Sequence, residues 1–263
     1  MSPKSQPVAT KVKRVARERL RRENDILAVA RELVAREGIA GFSTERVAEE
    51  AGYSRTAIYR YFPSKEELIL ALAVETAALR SKLWERIEDF DARPRERMVA
   101  MGEVTAFLYP RHVLPQVVAL SNAVRAKTTR ERQKKLRALD REDHRISIGI
   151  VRSAIKAGDL TLPRGISDEE LLFGINAFVR GLFLSIAIAS PIGEVGITDP
   201  RRVMRALGRE FLDGMGWRPL SGEWDYRATM RRIYTELYPP EYLASLGLRI
   251  DDRTAAVLRT ARA

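Results

Sequence analysis

A chain of 263 residues can hold one large domain or two smaller ones, and its 45% hydrophobic content excludes global disorder. The absence of cysteine excludes disulfides and thiol catalysis and agrees with a reducing cytoplasm, the expected location. A formal net charge of +11 points to a polyanionic partner, with a merely soluble basic surface as the plain alternative.

Residues 1–22 read as a basic arm. Lys4, Lys11, Lys13, Arg14, Arg17, Arg19, Arg21 and Arg22 are opposed only by Glu18, so the arm carries most of the chain's excess charge. Pro3 and Pro7 predict a disordered start, whereas Val12 to Asn24 can run as a helix into the next element. Taken alone, such an arm is a solvated tail. Beside a DNA-binding domain it becomes a contact along phosphates or in the minor groove, fading with salt. No apolar targeting core follows it. Asn24 to Glu37 predicts an amphipathic helix with Ile26, Leu27, Ala30, Leu33 and Val34 on one side, ended by Gly38. Phe42, in the loop after it, is expected in a small core.

Ser43 to Leu68 is the most strongly patterned stretch of the chain. Thr44 to Ala51 predicts a short helix capped by Ser43 or Thr44, with Val47, Ala48 and Ala51 as its apolar face. Gly52 supplies the turn. Ser54 caps a second helix, Arg55 to Phe62, whose inward side is Ile58 and Phe62, and Pro63 stops it. Ser64 with Glu67 predicts a capping box opening a third helix. Two helices joined by a glycine turn form the helix-turn-helix pattern, whose second helix enters the major groove. Between Gly52 and Lys65 no residue is acidic, while Arg55, Arg60 and Lys65 are basic and Ser54, Thr56, Tyr59 and Tyr61 carry hydroxyls. A solvated helical hairpin that happens to lack acids is the bland alternative.

The run STERVAEEAGYSRTAIYRYFPSKEELILAL resembles the DNA-binding helices of TetR-family transcriptional regulators, with Gly52, Ser54, Ile58, Tyr59, Tyr61, Phe62, Lys65, Glu67 and Leu68 in the expected places. The resemblance spans residues 23–79. It implies an all-α protein with an N-terminal three-helix helix-turn-helix DNA-binding domain and a larger C-terminal helical ligand-binding and dimerisation domain. It also implies that the helix from Lys65 to about Phe90 is a strut whose tilt carries ligand occupancy to the recognition helices. On this reading Thr44, Tyr59, Tyr61 and Lys65 hold phosphates. Arg55, with Thr56 and Ser54, reads bases, and Arg60 serves either purpose.

Beyond Pro94 the periodicity stays helical. Helices are predicted over Arg95 to Tyr109, Leu114 to Ala126 and Thr129 to Ala157. Another is expected from a Ser167/Glu170 capping box to about Ala189, and one from Asp199-Pro200 to about Asp213. The stretch Leu171 to Ala189 is broken by Asn176, Arg180 and Ser185, which excludes a membrane span. It reads as a buried helix. With the helix from Asp199, it is the expected dimer interface, a wholly intramolecular core being the alternative. These elements make a domain over 80–217. Residues 218–263 form an extension beyond the family's usual length, rich in Trp224, Tyr226, Tyr234, Tyr238 and Tyr242. It packs over the ligand domain, extends the dimer, or binds another partner.

Trp84, Met98, Met101, Phe107, Tyr109, His112, Phe178 and Phe183 are candidates to line a pocket between helices, each otherwise plain core. Arg180, on an apolar helix, needs a partner: an acidic ligand, or Glu103 or Glu210. Asp140 and His144 have a spacing a metal site can use, but a solvated charged face suits them better, and no metal or other cofactor is expected. Phosphate loops, dinucleotide fingerprints and hydrolase elbows are missing, so no enzyme is expected. The leading expectation is a homodimeric, ligand-responsive repressor on a palindromic operator, with double-stranded DNA, itself and a small-molecule effector as partners. A DNA-coating protein without sequence preference, or a helical enzyme or carrier of apolar ligands, stands as the alternative.

Overall fold

The structure, a computed structural model, describes residues 6–108, 113–119, 121–188 and 196–248. Among them the elements are helical: α1 (Gln6–Gly41), α2 (Thr44–Ala51), α3 (Arg55–Tyr61), α4 (Lys65–Glu88), α5 (Pro94–Leu108), α6 (Val113–Ala119), α7 (Asn122–Ala126), α8 (Arg130–Ala157), α9 (Asp168–Ile188), α10 (Pro200–Gly214), α11 (Tyr226–Arg232) and α12 (Pro240–Ser245), with a π-helical turn over Ile233–Leu237. The all-α class is as expected. No helix among the described residues is long and apolar enough to cross a membrane.

Two compact units emerge. The first combines the chain up to Glu75 with residues 110–134; the second combines 76–109 with the chain from Lys135 onward. Helices α6 and α7 and the start of α8 thus belong with the first unit.

In the first unit, α1 is helical from Gln6, where prolines had predicted disorder. Pro7 lies in the first turn, where its missing N–H breaks no helical bond. Gly38, at φ 68° and ψ −174°, interrupts α1 at the expected place, since that backbone suits glycine. The bend returns Phe42, 1% exposed, to a core with Ile26, Leu33, Val47, Ile58, Phe62 and Leu68. Ser43 is the N-cap of α2, its Oγ accepting from the Arg46 N–H at 3.2 Å. Ser54 does the same for α3, accepting from the Ala57 N–H at 3.2 Å. Gly52 closes α2 in the left-handed conformation, φ 69°.

Two local expectations need correction. Ser64 Oγ accepts the Glu67 N–H at 3.0 Å, but the Glu67 carboxylate does not return to Ser64 as a capping box requires. It is 3% exposed and accepts from the Thr129 N–H and hydroxyl, both at 2.8 Å, and pairs with Arg132 at 3.0 Å. A buried carboxylate is held by such partners, and here they tie the start of α8 to the α3–α4 corner. The helix expected over Leu114 to Ala126 is also split, because Ser121 caps α7 with its Oγ accepting from the Ala123 N–H at 3.2 Å.

In the second unit the Ser167/Glu170 box is reciprocal. Ser167 Oγ accepts the Glu170 N–H at 3.2 Å and Glu170 Oε2 accepts the Ser167 N–H at 2.8 Å. Asp199 caps α10 by accepting from the Arg202 N–H at 3.1 Å, with Pro200 in the first turn. The extension, whose place the sequence left open, packs on this bundle through its described residues. Arg95, wholly buried, donates to the carbonyls of Trp217 (2.8 Å) and Pro219 (2.6 Å) and to Ser221 Oγ (3.0 Å), and pairs with Asp213 at 2.5 Å. Four hydroxyls add to this. Tyr226 donates to Pro219 O (2.7 Å), Thr229 to Glu96 (2.6 Å), Tyr234 to Glu103 (2.7 Å) and Tyr238 to Leu83 O (2.8 Å).

Candidate functional site

Helix α3 is seven residues long and buries Ile58 alone. Its one buried side chain docks on the core, with Phe62 just past its end also 0% exposed, and most of the rod faces out. Ser54, Arg55, Thr56, Tyr59 and Arg60 are exposed. No acidic residue lies on α3 itself. Glu45 of α2 nevertheless stands beside it, accepting from the Tyr59 hydroxyl at 2.8 Å. Glu45's own backbone N–H, then that phenol, hold its carboxyl below the usual glutamate range. Sequence spacing could not reveal this neighbour, 14 residues away. The Arg60 guanidinium sits 5.6 Å from the Tyr61 ring centre, which steadies it over an aromatic face.

Three expected phosphate holders have contacts within the domain. Thr44, 5% exposed, is the first residue of α2 and packs inward with Val47 and Ala48, three and four positions on. Lys65 donates to Ile39 O at 2.9 Å and lies 5.8 Å from the Phe42 ring, clamping the bend after Gly38. Tyr61 is half-buried against the core, near enough to Arg22 to help raise the Arg22 pKa after the larger Glu18 contact. Of the eight residues expected to touch DNA, five are exposed (Ser54, whose Oγ is occupied by capping, Arg55, Thr56, Tyr59 and Arg60), Tyr61 and Lys65 are half-buried and Thr44 is buried. The arm adds Lys13, Arg14, Arg17, Arg19 and Arg21, exposed along α1, with Glu18 engaging Arg21 and Arg22 at 3.0 Å each.

The second unit encloses a cavity of about 490 Å³, within the range that holds small organic molecules. Trp84, Met98, Met101 and Phe178 line it, joined by Leu172, Ile175, Met204 and Phe211. The Phe178 and Phe211 rings stack 4.1 Å apart at 5°. Tyr109 and His112 lie outside the described residues, as do the side chains of Phe107 and Phe183. Arg180 is exposed rather than buried on α9, and Glu103 is paired elsewhere. Arg205 grips it with a fork at 2.8 and 2.7 Å, and Tyr234 donates at 2.7 Å. The sequence reading missed this pair and the contribution of the extension, since Trp224, Tyr226 and Met230 also line the cavity. The aromatic density of 218–248 was the only signal.

Asp140 and His144 do not converge on a metal. Asp140 pairs with Arg80 at 3.4 Å and His144 with Glu169 at 3.1 Å. Asp143, on the same helix, is buried. It accepts from Arg80 Nε and Ser81 Oγ, both at 2.6 Å, and burial raises its carboxyl pKa despite Arg80. Among the described residues no group of three or more histidines or carboxylates could hold a metal ion.

Comparison with known proteins gives three findings. Residues 26–72 match the family model for bacterial regulatory proteins of the tetR family. The chain is 46% identical over 57 residues to the HTH-type transcriptional repressor AcnR of Corynebacterium diphtheriae, a match covering 22% of this chain and 30% of the relative. This stretch of likeness thus spans less than a third of that relative's length. Among solved structures, a TetR-family regulator from Agrobacterium tumefaciens aligns with a TM-score of 0.58 at 20% identity, over 75% of this chain and 99% of that one. PfmR from Thermus thermophilus aligns at 0.55 and 19%, over 72% and 97%. A regulator from Saccharomonospora viridis, solved in complex with choline, aligns at 0.55 and 21%, over 73% and 95%. At these identities the structural likeness speaks to the fold.

Proposed function

We propose, from the match of residues 26–72 to the tetR family of bacterial regulatory proteins, that the chain is a sequence-specific, ligand-responsive transcriptional repressor that acts as a homodimer on a palindromic operator. The observation that carries this reading is the outward face of α3, where Arg55, Thr56 and Arg60 stand exposed on a helix anchored by Ile58. Arg55 has the bidentate fork that reads guanine in the major groove, and Thr56 suits either a base or a thymine methyl. Arg60 and the exposed basic residues of α1 neutralise phosphates. Lys65 and Thr44 also support the fold of the domain.

Two further features favour the rest of the proposal. On α9 and α10, Phe173 is 75% exposed and Leu207 41%, apolar surface that a second copy would cover. The cavity in the second unit offers an effector a largely apolar site, and choline in the S. viridis neighbour shows that protein with a small molecule bound. An effector bound there is expected to release DNA by spreading the two recognition helices from one-turn spacing.

Selection of genomic fragments by the purified chain tests the reading. The expected product is an inverted repeat with half-sites about one turn, roughly 10 bp, apart. Recovery of fragments with no shared sequence would leave a DNA-coating protein driven by the arm. Retention of no fragment at low salt would end the regulator reading altogether.

A further inference from the structure

The basic arm is helical, and that conformation limits where on DNA it can lie. Helix α1 begins at Gln6. From Lys13 to Asp25 no side chain is buried, and the core of the first unit begins at Ile26. Lys13 to Arg17 are exposed at five consecutive positions, which go right round a helix. This part of α1 therefore stands clear of the domain as a rod. Its helical form continues from the anchored turns behind it, since a free helix this short is marginal in water.

Six of the ten residues from Lys13 to Arg22 are cationic, and Glu18 alone is acidic. Arg21 and Arg22 engage Glu18 at 3.0 Å each, which leaves Lys13, Arg14, Arg17 and Arg19 without a carboxylate partner among the described residues. Lys13, Arg14, Arg17 and Arg21 share one face of the helix, at positions i, i+1, i+4 and i+8. Val15 and Leu20, each 59% exposed, sit five positions apart on different sides. The rod thus lacks the apolar face with which a helix lies on a membrane. Its root stands by α3. Glu18 is the main cause of the raised pKa of Arg21 and Arg22, and the phenols of Tyr53 and Tyr61 respectively add to it. Tyr53 precedes the cap of α3 and Tyr61 is its last residue.

We propose that α1 from Lys13 to Arg21 is a second DNA-binding element, a rigid rod that lies on phosphates beyond the base pairs reached by α3 and stays out of the minor groove. The proposal rests on the reading of α3 as the DNA-binding helix. A helix with its side chains is about 10–12 Å across, whereas an undeformed minor groove is about 6 Å wide. From Lys13 to Ile26 the rod is about 20 Å long, the length of roughly six base pairs. Its basic face meets a row of phosphates already ordered, so little conformational freedom is lost on binding.

Hydroxyl-radical footprinting of the full chain on a selected operator tests it, beside a triple variant, Lys13→Gln with Arg14→Gln and Arg17→Gln. Glutamine keeps the helix and removes the charge. The triple variant's footprint should be shorter by up to about six base pairs per half-site, with its salt slope smaller by about 3 per protomer. Its preference for operator over random duplex should be unchanged. Ala16→Pro breaks the helix and removes no charge, and it should lose the outermost protections too. An unchanged footprint in the triple variant would overturn the contact, and an unchanged footprint in Ala16→Pro would overturn the rod in favour of a flexible tail. Arm-dependent protection of adenine N3 or guanine N7 from dimethyl sulfate would put the arm in a groove and overturn its place on the phosphates. If no operator can be selected, salt slopes on random duplex still decide. A drop of about 3 per protomer supports the arm even where α3 reads nothing, and an unchanged slope overturns it.

Discussion

Helices α3 and α11 are each seven residues long, yet they spend their side chains in opposite directions. Helix α3 buries Ile58 and shows its polar and cationic side chains to solvent. Helix α11 buries Tyr226 and Thr229, which donate to Pro219 O and Glu96. A helix that acts on an outside partner needs only one firm attachment and a free face. A helix that shapes a cavity must have its own polar groups satisfied first, or it could not stay buried.

Removing the clasp around α11 should produce the largest effect. Arg95→Ala leaves Asp213 and the Trp217 and Pro219 carbonyls without their cation, and is expected to cost about 3–5 kcal/mol, the usual range for breaking a buried pair. Thermal unfolding should reveal the loss, together with loss of ligand binding in the cavity. The counterpart at the other end is Phe42→Ala, with about 3 kcal/mol expected from truncating a buried aromatic. It should abolish DNA binding through unfolding of the first unit rather than through a lost contact. If both variants lowered DNA and ligand binding equally, the two regions would not be separable in this way.

The same contrast explains what could be read in advance. The α2–α3 segment was legible because each device is local: a serine cap, a glycine turn, an apolar residue every third or fourth position. Its outward face follows from Ile58 and Phe62 being inward. What could not be read is long-range. Glu45 reaches Tyr59 across 14 positions, Glu67 reaches Thr129 across 62, and Arg95 reaches Pro219 across 124. Lys65 reads as a phosphate contact in the sequence, and only the return of the chain after Gly38 shows that it also reaches Ile39 O. The apolar members of the cavity were partly visible as helix-period aromatics and methionines, whereas the extension's share was hidden because its short helices carry no pattern of their own.

Smaller effects sharpen the contrast within the first unit. Arg55→Ala should cost about 1–3 kcal/mol at one position of each half-site, relaxing sequence preference there. Arg60→Ala and Lys65→Ala then divide contact from support. The first should weaken all sequences alike and reduce the salt slope by about 1. The second should lower the melting temperature, because its ammonium is bonded to Ile39 O. A reduced salt slope for Lys65→Ala would make it a phosphate contact as well.

The subtlest test is alkaline. Burial raises the Tyr226 phenol to about 12 and the Tyr238 phenol well above its ordinary value. A phenol whose folded pKa is raised contributes stability that is fully present below its unfolded pKa of about 10 and is lost as pH climbs through the folded value. The extension should therefore loosen above about pH 10, with the loss complete for Tyr226 only beyond about 12. Tyr238→Phe should be less stable at neutral pH, lacking the bond to Leu83 O, but should lose less on going alkaline. Parallel pH profiles for the two proteins would contradict this.

The most direct test is competition binding at fixed salt between a selected operator and random duplex of equal length, run with the native chain and with Arg55→Ala. The native chain should prefer the operator by about 10³-fold or more, and Arg55→Ala should give up a large part of that preference while its affinity for random duplex stays nearly the same. Equal affinity of the native chain for both duplexes, or an unchanged preference in Arg55→Ala, would contradict the claim that the exposed face of α3 reads the sequence.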